Sequence, residues 1–345
     1  VPGAGSELAA ALEPALIAAC GGRLSPIEWF RSTWQAGGAS TGYAAYTLDT
    51  GERVPAVVKL PVGPGEFAWT TSAAALADAD GSPPDEHPTL RPYAAGTSLG
   101  GYDLAWLVVE RLPGPVLNHD MTEATILDLL RAAARWYALA SRVRPLEAPP
   151  PAPDWGSLLD KARDAIHRTQ GREGTHDLAE PQRWNHAVKQ VQRILPTLVA
   201  RWSARPINAW CHGDLHPGNA MRRAPAPGIE ATAGATPHGG AGPCVLLDLA
   251  LVHAGHWVED AVYLERLYWG RPELLAGVKP VSALSKFRKE LGLHPAAGDD
   301  YPMLANIRRV LMAASAPAFL HREGHPRYMH HALEVIERLL PLVSR

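Results

Sequence analysis

The period of the apolar residues changes at Pro115, and that change limits the folds open to the chain. Before it, IEWFRSTW (27–34), GYAAYTL (42–48) and VPAVVKL (54–60) are short runs rich in β-branched and aromatic residues. The turn-like stretches QAGGAST and DTGER separate them, which predicts three antiparallel strands joined by hairpins. GPGEFAWTTSAAALADAD (63–80) predicts a helix ended by GSPPDEHP, and further strands are expected at 91–95 and 105–111. After Pro115, TEATILDLLRAAARWYALASRV (122–143) has apolar spacings of three and four and opens on Thr122 with Glu123 beside it, the signature of a helix start. RPLEAPPPAPDW (144–155) is a stiff, extended connector. Helices are expected at 155–170 and 181–203 and over most of 258–345. The run CVLLDLALV (244–252) reads as a strand buried on both sides. The fold class is therefore α+β, a small antiparallel sheet followed by a mostly helical body.

Composition narrows the function classes. The chain has 345 residues, 46% of them hydrophobic, enough for more than one lobe. Its 33 basic and 35 acidic residues leave a net charge of −2, so no basic excess exists to displace phosphate counterions, and no nucleic-acid partner is expected. No uncharged apolar run approaches the roughly 18 residues of a membrane span. Residues 1–22 carry Glu7 and Glu13 and no basic n-region, and read as an amphipathic helix rather than a signal peptide. Cys20, Cys211 and Cys244 are odd in number and widely spaced, against a disulfide scaffold or zinc knuckle; the setting expected is cytoplasmic.

The chemistry sits in the polar stretch AWCHGDLHPGNAMRR (209–223). Asp214 and Asn219 are five apart, and His212 precedes Asp214 by two, the spacing of a kinase catalytic loop. That chemistry needs a carboxylate to accept the proton of an attacking hydroxyl. It also needs a side-chain oxygen a short loop away to ligate magnesium, which prefers oxygen donors. A second carboxylate is expected at a strand end, and Asp248 in VLLDLAL fits; a charge beside a buried strand is costly unless paired or metal-bound. Lys59 in AVVKL supplies a strand cation for nucleotide phosphates.

HGDLHPGN, followed by a strand ending in Asp248, resembles the aminoglycoside phosphotransferase and choline kinase group, within the protein-kinase-like fold. AVVKLP resembles its ATP-lysine strand, and WLVVERLPG its interlobe hinge. The resemblance runs from about residue 25 to at least 270. It implies an N-terminal nucleotide-binding lobe over 1–110, a helical catalytic and acceptor-binding lobe over 111–345, and a hinge at about 108–114. Asp214 would be the catalytic base or a substrate-orienting carboxylate. Asn219 and Asp248 would ligate Mg2+, and Lys59 would bind the phosphates of ATP, or of GTP. The loop 36–42 would cover those phosphates with backbone N–H groups and the Ser40 or Thr41 hydroxyls. Glu110 to Leu112 would offer backbone groups to adenine. His212 would be structural, and Asp260 in GHWVEDAVYL would help hold the catalytic loop. Glu66 would be the partner of Lys59 if the second helix begins there.

The departures are the glycine loop, which has Gly37-Gly38 rather than G-x-G-x-x-G, and Leu-Ala after Asp248 in place of Phe-Gly. The activation segment of a regulated protein kinase is missing. Transfer of the γ-phosphoryl group to a hydroxyl of a small molecule (sugar, amino sugar, aminoglycoside or amino alcohol) is the activity expected. A catalytically degenerate nucleotide-binding protein is one alternative; a metal-dependent hydrolase built on His212 and His216 is another. Residues 261–345 carry 12 Lys/Arg against 8 Asp/Glu, which does not suit a polycationic acceptor, although Asp299-Asp300 could serve one locally. Tyr263, Tyr268 and Trp269 could face an ammonium group or simply pack. The loop 224–243, nearly uncharged, reads as an insertion between two short strands.

Overall fold

The computed structural model describes residues 4–30, 39–80, 87–169, 178–224, 242–295 and 298–345. They group into two compact units, Val1–His119 with Pro217–Val252 and Asp120–His216 with His253–Arg345. The first unit thus runs past 108–114 and takes in a hairpin that chain order would assign to the helical lobe. The reason is local. Leu246 N–H donates to the Pro88 carbonyl at 2.8 Å, and Thr89 bridges Leu246, so the hairpin is bonded to the first unit's own backbone.

The first unit is built on a five-stranded antiparallel sheet in the order β1-β2-β3-β5-β4, with β1 Glu28–Phe30, β2 Ser40–Thr47, β3 Arg53–Leu60, β4 Pro92–Gly96 and β5 Trp106–Glu110. Strand period separates its two faces. Ala56, Val58 and Leu60 point into a core with Tyr46, Trp106 and Val108, closed by Leu12 and Leu16 of helix α1 (Ala4–Ala19). Val57, Leu107 and Val109 face the other way, with Val62 and with Phe67 of α2 (Pro64–Asp80). Lys59 alternates with Val58 and Leu60 and so lies on the α2 side. The hairpin β7 (Ala220–Arg222) and β8 (Cys244–Leu246) completes the unit. Residues 225–241, most of the loop 224–243, lie outside the described residues, as do Gly37 and Gly38.

The second unit is helical. Its α3 (Glu123–Val143) starts where Thr122 Oγ1 accepts the Thr125 N–H, and it buries Ile126, Leu129, Ala133, Trp136, Tyr137 and Ala140 along one stripe. The remaining helices are α4 (Trp155–Thr169), α5 (Pro181–Ser203), α6 (Val258–Leu267), α7 (Pro280–Glu290), α8 (Tyr301–Ser315), the single turn α9 (Leu320–Glu323) and α10 (Pro326–Val343). A short ladder pairs β6 (Ala209–Cys211) with β9 (His253–Gly255). Trp136 Nε1 donates to the Trp210 carbonyl at 2.8 Å, fastening α3 to β6 immediately ahead of residues 212–219. Trp136 and Trp257, like Trp69 and Trp106 in the first unit, are core residues, at most 4% exposed. Among the described residues no helix is long and apolar enough to cross a membrane.

The expected strand 244–252 is shorter than its apolar run. It stops at Leu246; Asp248 turns left-handed (φ +56°), and residues 249–251 form a 3-10 turn that leaves Leu251 exposed. Asp tolerates this backbone region because its short side chain bonds locally, here from the Ala250 N–H at 3.4 Å.

Candidate active site

Residues 212–216 belong to the second unit and 217–219 to the first, so the motif is best built from each side separately. On the helical side, β6 delivers the chain to His212, which is fully buried. The Asp260 carboxylate, 1% exposed on α6, accepts the His212 N–H at 2.7 Å and the Gly213 N–H at 2.9 Å. Tyr137 Oη donates to it at 2.8 Å. Burial, with the Asp260 charge beside it, pushes the Tyr137 phenol well above its usual value, so the donated proton stays. Gly213 lies at φ +84°, a conformation that glycine reaches without Cβ strain. It carries the chain from this anchor to Asp214, which is half-buried. Tyr263 Oη donates to Asp214 Oδ1 at 2.5 Å, and His216 Nε2 lies 3.6 Å from Oδ2. The Asp214 N–H is directed at His212 Nδ1 at 3.3 Å. The arrangement offers a half-buried carboxylate on a firmly seated loop.

In the first unit, Asn219 closes a 3-10 turn, and its carbonyl accepts the Leu247 N–H at 2.8 Å. That bond extends the β7–β8 ladder and sets Asn219 opposite the residue that precedes Asp248. The structure therefore brings these two oxygen-bearing side chains to one end of one hairpin. Asp248 is exposed rather than buried, which corrects the expectation that its charge needs a partner to offset burial. The exposure follows from the left-handed turn, which takes the residue out of the strand. An amide oxygen and an exposed carboxylate suit a hard cation such as Mg2+ in donor chemistry.

Lys59 Nζ forms an ion pair with Glu66, which is 8% exposed in the first turn of α2. The helix begins at Pro64, so seven residues suffice: Lys59 already faces α2, and the short link through Val62 folds back. The same turn of α2 abuts the one after Asp248, with Gly65 so placed that a Cβ would stand 3.6 Å from the Ala250 carbonyl. Ser40 and Thr41 open strand β2 rather than lying in a loop, and Thr41 is the cross-strand neighbour of Lys59. Glu110 ends β5, and Leu112 is buried just beyond it. The N–H of Glu110 donates to the Arg91 carbonyl at 2.8 Å.

Three residues were missed by sequence reasoning. Arg223, 5% exposed, donates to the carbonyls of His87 at 2.5 Å and Thr89 at 2.7 Å and forms an ion pair with the Glu110 carboxylate. It thus clamps the end of β5 to the hairpin. Tyr137 supports Asp260. Tyr263, weighed as an ammonium contact or a packing residue, donates to Asp214, a role the sequence reading did not give it. Asp299 and Asp300 are committed elsewhere: the Asp299 side chain is buried against His256 Nε2 (3.1 Å) and Asn208 Nδ2 (3.2 Å), and Asp300 caps α8 at Met303 N–H. Trp269 is core, stacked with Tyr328. Tyr268 borders a cavity of about 230 Å³ that Lys279, Arg309 and Arg338 also line. The histidine pair of the hydrolase alternative gains no support. Among the described residues, the group that could gather around a metal is Cys211, His253 and Glu259, without His212 or His216. Its Glu259 already pairs with Arg205 at 3.0 Å.

The chain is similar to several solved structures. An aminoglycoside phosphotransferase from Alicyclobacillus acidocaldarius aligns at 13% identity and a TM-score of 0.55, covering 93% of this chain and 92% of that one. A putative aminoglycoside phosphotransferase from Ralstonia eutropha aligns at 13% and 0.50, covering 94% and 98%. A spectinomycin phosphotransferase in complex with ADP and spectinomycin aligns at 10% and 0.51, covering 92% and 94%. At these identities the likeness speaks for the fold, which is the two-lobed protein-kinase-like one. No curated protein sequence matches the chain. The sequence pattern that describes phosphotransferase enzymes matches residues 37–231, more than half of the length, and with the kinase-like fold and the seated Asp214 loop it places the chain in the phosphotransferase enzyme family.

Proposed function

We propose that this protein transfers the γ-phosphoryl group of ATP to a hydroxyl of a small molecule, with Asp214 as the base that orients and deprotonates it. The observation that carries the reading is the seating of Asp214: buried Asp260 grips the backbone on its N-terminal side, and the residue itself is half-buried rather than enclosed. Lys59, held by Glu66, would neutralise nucleotide phosphates, and Thr41 beside it would add a hydroxyl. Adenine would meet the backbone of Glu110 to Leu112. Asn219 and Asp248 would hold magnesium, which supplies charge neutralisation of the phosphates. The ADP-bound spectinomycin phosphotransferase supports nucleotide use by the same fold.

The acceptor best suited to the helical unit is neutral or anionic. Asp299 and Asp300, the acidic pair that could have met a polycation, are engaged by His256, Asn208 and the start of α8. The cavity beside Tyr268 is bordered mainly by apolar and aromatic side chains, with Lys279 and Arg338 at its edge and Arg309 paired to Glu265. A sugar-like hydroxyl fits these facts better than an aminoglycoside.

ADP release with ATP and magnesium, measured against neutral sugars, sugar acids, amino sugars, aminoglycosides, amino alcohols and nucleosides, tests the reading, with Asp214→Ala as control. Acceptor-stimulated release should appear in the wild type and vanish in the variant, while the variant still binds ATP. Nucleotide binding with no stimulated turnover by any compound would favour a degenerate kinase-like protein instead.

A further inference from the structure

The helical unit holds a cavity of about 230 Å³ that neither Asp214 nor Tyr263 borders. Glu265, the α6 residue on its wall, is two positions and so about 200° round the helix from Tyr263. The cavity therefore opens on the flank of α6 away from the catalytic loop. Its walls are apolar and fixed. Trp269 is 6% exposed and stacked on Tyr328, Leu275 and Pro280 are buried, and Val335 of α10 is 2% exposed. An apolar cavity of about 150 Å³ takes up benzene, so this one has room for such a ring and one small substituent.

The charges at its edge select the substituent. Glu265 and Arg309 form a two-point ion pair, at 2.7 and 2.9 Å, and Arg309 Nη1 donates to Asn306 at 2.9 Å. The charges of that pair offset each other. His331 is half-buried, and burial holds its imidazole below the ordinary value, so near neutral pH it adds no cation. Lys279 and Arg338 remain, both exposed at the edge. The acids of α10 closest to Arg338 in sequence are engaged elsewhere, Glu334 beside His330 and His331 and Glu337 with Arg183. An apolar pocket with a net positive edge is complementary to an organic anion, its ring against the wall and its oxygens on the Arg338 fork.

We propose that this cavity binds a small organic anion, a ring-sized apolar body bearing one carboxylate or phosphate group, with Lys279 and Arg338 on the charge and Trp269 against the ring. The site is separate from Asp214, and the proposal stands independently of the phosphotransfer reading.

Benzoate and phenyl phosphate are the probes, with benzamide as the neutral counterpart, titrated into full-length protein labelled with 5-fluorotryptophan. The ¹⁹F resonance absent from Trp269→Phe should shift saturably with benzoate or phenyl phosphate. The dissociation constant should rise at least about tenfold for benzamide, and equally in Lys279→Gln/Arg338→Gln, the usual worth of a hydrogen bond to a charged group. Both substituted side chains are exposed, so the melting temperature of that variant should match the wild type. Asp214→Ala should bind the anion as the wild type does. A Trp269 resonance unmoved by both anions overturns the site, and benzamide binding as tightly overturns its anionic class. Unchanged binding by the double variant overturns the role of Lys279 and Arg338. Loss of binding in Asp214→Ala would place the ligand at the catalytic loop and overturn the separate site.

Discussion

Asp260→Asn is the sharpest perturbation the structure offers, because it changes two protons and a charge but almost no volume. Oδ2 of Asp260 receives the His212 N–H and the Tyr137 O–H, and Oδ1 receives the Gly213 N–H. An asparagine has one acceptor oxygen. Whichever way the amide is turned, its NH2 group faces a backbone N–H, so one buried donor is left unpaired. That costs about 1–3 kcal/mol, and the bonds that remain lose their charge assistance, roughly another 1 kcal/mol. A total of about 2–4 kcal/mol in a unit of this size lowers the melting temperature by roughly 5–15 °C. Because the strained amide is that of His212 or Gly213, the lesion is local to the catalytic loop. A displacement of about 1 Å there would cost on the order of a hundredfold in turnover. Thermal denaturation followed by amide hydrogen exchange at Gly213 and Asp214 reads both effects without any acceptor. If the variant melted within a degree of the wild type with exchange at those amides unchanged, the claim that Asp260 seats the loop would be wrong.

Two further outcomes follow from buried charges. Burial alone would raise the Glu259 carboxyl, but His253, Arg308, Arg205 and the His256 N–H together hold it at about 2, below its ordinary 4.5. A folded value below the unfolded one means that this group's stabilisation, on the order of 3 kcal/mol, is fully present above about pH 4.5 and is lost as pH falls toward 2. The difference in unfolding free energy between wild type and Glu259→Gln, measured in urea at a series of pH values, should shrink across that window; a constant difference would contradict the assignment. Arg223→Met should destabilise the first unit by about 3–5 kcal/mol, since the Glu110 carboxylate and the carbonyls of His87 and Thr89 lose their donor. Adding Glu110→Gln should recover part of that loss, and a single-variant cost below about 1 kcal/mol by chemical denaturation would refute the clamp.

Much of this architecture is written in local pattern. The 3.6-residue stripe of α3, its Thr122 cap and Pro181 at the start of α5 mark helices whose observed bounds fall within a residue of those expected. The alternation Val57, Val58, Lys59, Leu60 already places Lys59 opposite the core face, and the spacing of His212, Asp214 and Asn219 names the loop. Local pattern also misled once: the apolar run 244–252 shows no sign of the backbone turn at Asp248 that ends the strand and exposes the carboxylate.

What the sequence determined by itself is which face of each element is buried and which residue types sit together within a few positions, because backbone period and side-chain chemistry are local properties. What only the tertiary structure decided is which distant residues those faces meet. Glu110 and Arg223 are 113 residues apart, Tyr137 and Asp260 are 123, and Asp214 and Tyr263 are 49. No period links such positions. They become partners because a buried donor or carboxylate must be satisfied by whatever the packing of strands and helices brings within hydrogen-bond reach.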